Sequence, residues 1–208
     1  MKEYHKINSV FKRDERTKRF IEGDWSTPEL AYLAGNIWTW DEKIDGTNIR
    51  VEWTGKRGFG GRTDNASIPA HLFARLEELF SPERLSVALP DTNETTPITL
   101  YGEGFGSKIQ KGGLYLGDKV DFILFDVRVG EWWLKREAVE DIAQRLDLRI
   151  TPILGEGTLL EAIEKVRHGF QSTIGTAPAE GMVLRPKTHM NDRRGDRIIT
   201  KVKTRDFK

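Results

Sequence analysis

Seven consecutive residues, Thr47 to Trp53, alternate without a break. Ile49, Val51 and Trp53 fall on one side and Asn48, Arg50 and Glu52 on the other, which is the period-two pattern of a half-buried strand. Ile98 to Tyr101, Val120 to Val129, Met182 to Arg185 and Ile198 to Lys203 also read as strands, the second apolar enough for both its faces to be covered. Helical signals fall irregularly between them. Thr27-Pro28-Glu29-Leu30-Ala31-Tyr32-Leu33 supplies an N-cap and a first-turn proline, with Gly35 closing the helix. Ser67 to Phe80 places Leu72, Phe73, Leu76, Leu79 and Phe80 at helical spacing, and Val139, Ile142, Ala143 and Leu146 repeat the pattern. Thr158-Leu159-Leu160-Glu161 is a capping box opening a helix toward His168-Gly169. The order has no regular βαβ beat, so an α+β fold with largely antiparallel sheets is expected rather than a doubly wound parallel sheet.

No repeat, low-complexity tract or linker divides the 208 residues, and a single domain over 1–208 is expected. The absence of Cys excludes disulfides, thiolate nucleophiles and Cys-ligated zinc, and it fits a reducing compartment. Without a signal-peptide core or an apolar run of membrane length, the expected location is cytoplasmic. Lys plus Arg (33) nearly balances Asp plus Glu (32), yet the charge is sorted along the chain. Arg185 to Lys208 holds nine basic and three acidic residues, whereas Leu76 to Glu103 holds six acids and one base. A basic strip suits a polyanionic ligand, and a solvated surface fits it equally well.

Candidate chemistry begins at Asp41-Glu42-Lys43-Ile44-Asp45-Gly46-Thr47-Asn48, where a lysine stands two residues before an Asp-Gly turn that feeds a strand. A lysine amine is nucleophilic only when neutral, which nearby cations or desolvation favour by lowering its pKa from about 10.4. An ordinary hairpin with an exposed lysine fits the octapeptide about as well. Lys201 and Lys203, two apart on a strand, project from one face and could grip adjacent phosphates, although an edge strand also favours such lysines. Three acids sit at strand ends, in Tyr101-Gly102-Glu103-Gly104, Phe125-Asp126-Val127 and Ala179-Glu180-Gly181. Their glycines permit close approach by a ligand, and a Mg²⁺ bridging triphosphate oxygens needs only one or two carboxylates. Phe125 could stack on a base or lie in the core. Gly102 to Lys108 lacks the spacing of a Walker loop. His5, His71, His168 and His189 show no paired ligand spacing, and no Ser stands in a nucleophile elbow.

Taken in order, these segments resemble the six-part signature of the covalent nucleotidyltransferases, which include ATP-dependent RNA and DNA ligases and mRNA capping enzymes. The segments are Lys43-Ile44-Asp45-Gly46-Thr47-Asn48, Gly61-Arg62-Thr63, Tyr101-Gly102-Glu103-Gly104, Phe122 to Asp126, Glu180 to Arg185 and Thr200-Lys201-Val202-Lys203. Gly46-Thr47-Asn48 and Lys201-Val202-Lys203 are most similar to the phage and RNA-editing type of RNA ligase. Asp45, where many of that type carry His, is shared with DNA ligases and capping enzymes.

The resemblance implies a nucleotidyltransferase, ATP-grasp-like domain of largely antiparallel sheets flanked by helices. With the chain ending five residues after Lys203, no appended OB domain is expected, and sealing is expected to be limited or to need an accessory protein. It implies that Lys43 attacks the α-phosphate of ATP and carries AMP, with Mg²⁺ or Mn²⁺ as metal. Glu42 would read the adenine edge, Phe125 would stack on its face, Arg62 and Asn48 would orient sugar and phosphate, and Glu103 would contact the ribose. Glu180 would organise metal and lysine with Asp45 as a second metal donor, and Lys201 and Lys203 would hold the α-phosphate. Arg185, Lys187, Arg193, Arg194, Arg197 and Arg205 could track the backbone of RNA ends or a nicked duplex. A monomer without membrane contact is expected, in the host cytoplasm if phage-encoded. The competing readings are a minimal ATP-dependent DNA ligase, a capping-type guanylyltransferase and an inactive module that binds nucleic-acid ends.

Overall fold

The computed structural model describes residues 1–90, 92–93, 95–110 and 112–207. In chain order the elements begin with β1 (Asn8–Ser9), β2 (Phe11–Arg13), β3 (Phe20–Trp25), α1 (Pro28–Leu33), β4 (Trp38–Lys43), β5 (Thr47–Trp53) and β6 (Arg57–Gly60). Next come α2 (Ala70–Leu79), α3 (Pro82–Ala88), β7 (Ile98–Gly106), α4 (Gly113–Leu116), β8 (Val120–Val129), β9 (Trp132–Trp133) and α5 (Arg136–Arg145). The last are β10 (Arg149–Ile150), β11 (Ile153–Gly157), α6 (Leu159–His168), β12 (Gly181–Pro186), β13 (Thr200–Lys203) and the 3₁₀ turn η1 (Thr204–Phe207). This is an α+β fold of largely antiparallel sheets flanked by helices, as the strand and helix patterns predict. Only the β1–β13 and β10–β8 pairings are parallel among the described residues. No helix among them is long and apolar enough to cross a membrane.

The chain forms two compact units, one of Met1–His5 with Asp45–Thr151 and the other of Lys6–Ile44 with Pro152–Lys208. The first unit is built on a sheet ordered β10-β8-β7-β5-β6, with β9 added beside β8. Ile49, Val51 and Trp53 of β5 face Leu72, Leu76 and Leu79 of α2 and Val139, Ile142 and Ala143 of α5 in one core. The α2 helix starts at Ala70, later than the apolar spacing predicts, because Ile68 precedes Pro69 and is held out of the helical region. Phe73 departs from the expected core set. It is 39% exposed, lying edge-on to Phe59 at 5.4 Å, because the Leu72, Leu76 and Leu79 stripe faces the sheet one residue round the helix.

The polar face of β5 also differs from expectation, since Arg50 is fully buried. The N-terminal residues cover that face. The Arg50 guanidinium donates to the Gly61 carbonyl at 2.6 Å, the Met1 carbonyl at 2.9 Å and Asp64 at 2.8 Å, so the buried charge is paired and each of its three nitrogens donates.

The second unit carries a sheet ordered β1-β13-β12-β4-β11 and the separate hairpin β2-β3. Trp38 and Trp40 of β4, Met182 and Leu184 of β12 and Val202 of β13 pack on Leu159, Ala162, Ile163 and Val166 of α6. Thr27 caps α1 by accepting from the Leu30 amide at 3.4 Å. The expected capping box of α6 is formed in both directions, Thr158 N to Glu161 at 2.7 Å and Glu161 N to Thr158 Oγ1 at 3.2 Å.

Candidate active site

The alternation of β4 decides which of its residues can meet. Trp38, Trp40 and Glu42 share one face, and Thr39, Asp41 and Lys43 the other. Gly181 of β12 lies opposite both Lys43 and Lys203, and Val183 lies opposite both Asp41 and Lys201. Two neighbouring rows therefore run across one sheet face, Lys43-Gly181-Lys203 and Asp41-Val183-Lys201. Lys201 and Lys203 share the face that their spacing predicts. The middle of the first row must be glycine, since a Cβ on Gly181 would fall 2.1 Å from the Val202 carbonyl oxygen.

Glu180 precedes that glycine. Its Oε2 lies 2.7 Å from Lys43 Nζ and its Oε1 lies 2.5 Å from Lys203 Nζ. Burial alone pushes this carboxyl up, but the Lys43 charge and the Lys203 hydrogen bond outweigh it and hold the group below the usual carboxylate range. The sequence leads one to expect cations aimed at Lys43. The Glu180 carboxylate stands beside it, and Lys203 shares that carboxylate. A bound metal needs oxygen donors, and no group of three or more His, Asp or Glu side chains is assembled among the described residues. Glu180 alone is a donor set suited to a metal that arrives with phosphates and keeps waters, rather than to an all-protein cage.

Glu42 points to the opposite face from Lys43, only 1% exposed. Its carboxylate accepts from Ser172 Oγ, from Thr173 N at 3.0 Å and from Thr173 Oγ1 at 2.5 Å. Sequence reasoning missed Ser172 and Thr173, and nothing in their local pattern marks them. Asp41, two residues before Lys43 and on its face, is buried and ion-paired with Arg185. Period-two spacing from Lys43 could have marked Asp41.

The remaining nucleotide candidates belong to the first unit. Asn48 of β5 lies opposite Glu103 of β7 in the sheet register. The Asn48 Oδ1 is buried and meets no hydrogen-bond donor among the described residues. Such an orphan acceptor costs free energy unless something fills its place. Phe125 stands at a β-bulge: Tyr101 faces Asp126 and Gly102 faces Leu124, so Phe125 is the extra residue, half-buried and edge-on to Tyr4 at 5.1 Å. A bulge of this kind re-aims a side chain. Arg62 is exposed in the bend after β6, and the Asp45 amide donates to the Tyr115 hydroxyl at 3.2 Å. The glycines of the Gly102 to Gly106 stretch lie inside β7 rather than in a ligand loop. The protein itself makes the close approach there, for a Cβ on Gly46 would fall 2.3 Å from the Gly104 carbonyl oxygen.

The C-terminal basic residues are unequally placed. Lys187 pairs with Glu156 at 2.6 Å, and Arg194 is bound by Asp192 at 3.1 Å. Arg185 and Arg197 line a small cavity with His189 and Met190. Arg193 and Arg205 are exposed.

A family model described as RNA ligase matches residues 36–203. Solved structures of Naegleria gruberi RNA ligase share the fold. A variant with ATP and Mn aligns with TM-score 0.66 at 19% identity, covering 86% of this chain and 52% of that one. A variant with AMP and Mn gives 0.66 at 19%, and the enzyme with PPi gives 0.66 at 20%, each covering 86% of this chain and 53% of the other. The chain thus spans about half the length of those relatives. No curated protein matches it by sequence. The family match takes in Lys43, Glu180, Lys201 and Lys203 together with Asn48, Glu103 and Phe125, and by its extent the chain belongs to the RNA ligase family.

Proposed function

We propose that this protein is an ATP-dependent polynucleotide ligase acting on RNA ends, joining a 3′-hydroxyl to a 5′-phosphate through AMP carried on Lys43. The observation that carries this reading is the shared carboxylate, Lys43 and Lys203 on the two oxygens of Glu180, inside an RNA ligase match over 36–203. The match includes parts of both compact units, which supports treating 1–208 as one adenylyltransferase domain.

In the first step Lys43 gives up a proton and its contact with Glu180, and its Nζ attacks the α-phosphorus of ATP. A P–N bond forms as the P–O bond to pyrophosphate breaks. Next an oxygen of the RNA 5′-phosphate attacks the same phosphorus, the P–N bond breaks and the lysine regains a proton. Finally the 3′-hydroxyl oxygen loses its proton to solvent and bonds to the phosphorus of the activated 5′-phosphate, and the bond from that phosphorus to AMP breaks. Lys201 and Lys203, aligned on one face, would neutralise charge on the α-phosphate. A divalent metal, Mg²⁺ or Mn²⁺, would supply further charge neutralisation, with Glu180 as its protein donor. Phe125 would stack on the adenine, Asn48 and Arg62 would orient sugar and phosphate, and Glu103 would meet the ribose. Glu42 could reach the adenine edge only by releasing Ser172 and Thr173, so its role would be to fix the strand end that carries Lys43. Of the C-terminal cations, exposed Arg193 and Arg205 are the better suited to a nucleic-acid backbone. The protein is proposed to act as a cytoplasmic monomer.

Intact mass spectrometry after incubation with ATP and Mg²⁺ tests the first step. Wild type should gain one AMP and Lys43→Ala none. Labelling by GTP in place of ATP would replace ligation with capping chemistry, and sealing only all-DNA nicks would make the substrate DNA.

A further inference from the structure

The hairpin β2-β3 lies outside residues 36–203, and no role above draws on it. We propose that its tip, Arg16 to Arg19, is a nucleic-acid surface that holds the phosphodiester backbone of the RNA substrate. This rests on the polynucleotide reading of the function.

Three observations carry it. First, the cations at the tip are free for a ligand: Arg16, Lys18 and Arg19 are exposed and take part in no salt bridge among the described residues. The carboxylates of the hairpin are mostly engaged. Asp24 pairs with Lys12 at 2.8 Å, Glu22 pairs with Arg167 at 2.6 Å, and Asp14 accepts from the Arg16 amide and from the amide and hydroxyl of Thr17. Two acids, Asp14 and Glu15, stand with the three cations at the tip, and Asp14 feels the Lys18 charge, so the tip keeps a net positive charge.

Second, the tip is held in shape before any ligand arrives. Asp14 N donates to the Arg19 carbonyl at 2.9 Å, Lys18 N donates to the Asp14 carbonyl at 2.9 Å, and Lys18 takes a left-handed φ of 59°. Arg13 closes the loop from below, donating to the Lys18 carbonyl at 3.0 Å while its guanidinium lies 4.5 Å over the Phe20 ring. A loop fixed in this way loses little freedom on binding.

Third, the hairpin is tied to the strand that bears the lysine pair. Arg13 donates to Asp206 Oδ1 at 2.8 Å, and the other oxygen of that buried carboxylate accepts from the Lys203 amide at 3.1 Å. Phe20 packs edge-on against Phe207 at 5.6 Å, in the turn η1 that also carries exposed Arg205. A solvated surface loop needs no such anchor. One carboxylate thus joins the basic tip to the backbone of a residue proposed to hold phosphate, a linkage suited to placing RNA in fixed register with the chemistry.

The test compares wild type, the triple variant Arg16→Ala/Lys18→Ala/Arg19→Ala and a control that removes three exposed cations elsewhere, Lys56→Ala/Lys135→Ala/Arg145→Ala. Binding of a fluorescein-labelled nicked RNA duplex is read by anisotropy over a range of salt, and Lys43 labelling by ATP is read on the same samples. Losing three phosphate contacts should lower the salt slope of log K by about two to three and weaken binding at least about tenfold at about 0.1 M salt. Labelling should stay unchanged, and the control should bind as wild type does. An unchanged slope and affinity in the hairpin triple would overturn the proposal, as would an equal loss in the control. A failure of wild type to accept AMP would defeat the ligase reading while leaving the binding comparison intact.

Discussion

Lys43 meets Glu180 in an ion pair of 2.7 Å, and the same carboxylate reaches Lys203 through its other oxygen at 2.5 Å. A nucleophile attacks as the free amine, so the contact that positions Lys43 also restrains it. Its release must accompany the first step. Glu180→Gln keeps the shape and removes the charge. Single-turnover AMP transfer should fall about a hundredfold to a thousandfold, the size of loss that follows removal of one preorganised electrostatic group from an active site. Quantifying lysyl-AMP by mass against time checks this, and an unchanged rate would remove Glu180 from the mechanism.

The same pairing makes a statement about acid stability. The Glu180 carboxyl is held below its ordinary 4.5 in the folded protein, so the folded state binds this proton less readily than the unfolded chain does. The stabilisation is therefore complete above the unfolded value and is lost as pH falls through the lower folded one. Urea unfolding of wild type and Glu180→Gln should differ most near about pH 6, with the gap closing toward about pH 3. A gap that does not change with pH would show that the ion pairs add nothing that titrates.

For Phe125 the expectation concerns nucleotide affinity. A half-buried aromatic at a bulge is re-aimed out of the strand's ordinary alternation. If it stacks on the base, Phe125→Ala should raise the KM for ATP about fivefold to a hundredfold, the equivalent of about 1–3 kcal/mol of base stacking, while Phe125→Tyr stays near wild type. A loss of thermal stability with no change in KM would return Phe125 to the core.

How much of this could be read from the chain depends on whether local pattern or distant segments decided the outcome. β5 and β8 were legible end to end because period-two alternation and an unbroken apolar run are local signals. The Lys201 and Lys203 pair was legible for the same reason, since two residues apart on a strand fixes a common face. Arg50 was not, because its burial comes from Met1 and Asp64, which no window around β5 contains. The partners of Glu42 were not legible either: next to Lys43 in sequence, it points to the opposite face by the alternation of β4, and Ser172 and Thr173 come from a distant segment. The shared contact on Glu180 joins three segments, and only the register of β12 with β4 and β13 creates it.

Ser172 and Thr173 give that orientation a measurable consequence. Glu42 is buried, and its carboxylate depends on their hydroxyls and on the Thr173 amide. Thr173→Val should cost about 1–3 kcal/mol by leaving a buried oxygen short of a donor. Thr173→Ser should recover most of it. Urea denaturation of the two variants decides the matter, and equal stability would mean that water replaces the hydroxyl at no cost.

Arg185 is the residue on which the sequence and the structure disagree most sharply. The basic strip assigns it to a nucleic-acid backbone, whereas its guanidinium is ion-paired with Asp41, itself 4% exposed. If the pair is structural, Arg185→Met strands a buried negative charge and should cost about 3–5 kcal/mol, and Asp41→Leu combined with Arg185→Met should recover most of that loss. A phosphate-binding role predicts the reverse, a normal unfolding curve with weakened RNA binding and a shallower salt slope. Because Asp41 shares its sheet face with Lys43, the single variant should also slow AMP transfer, and the double variant should restore the rate only as far as it restores the strand.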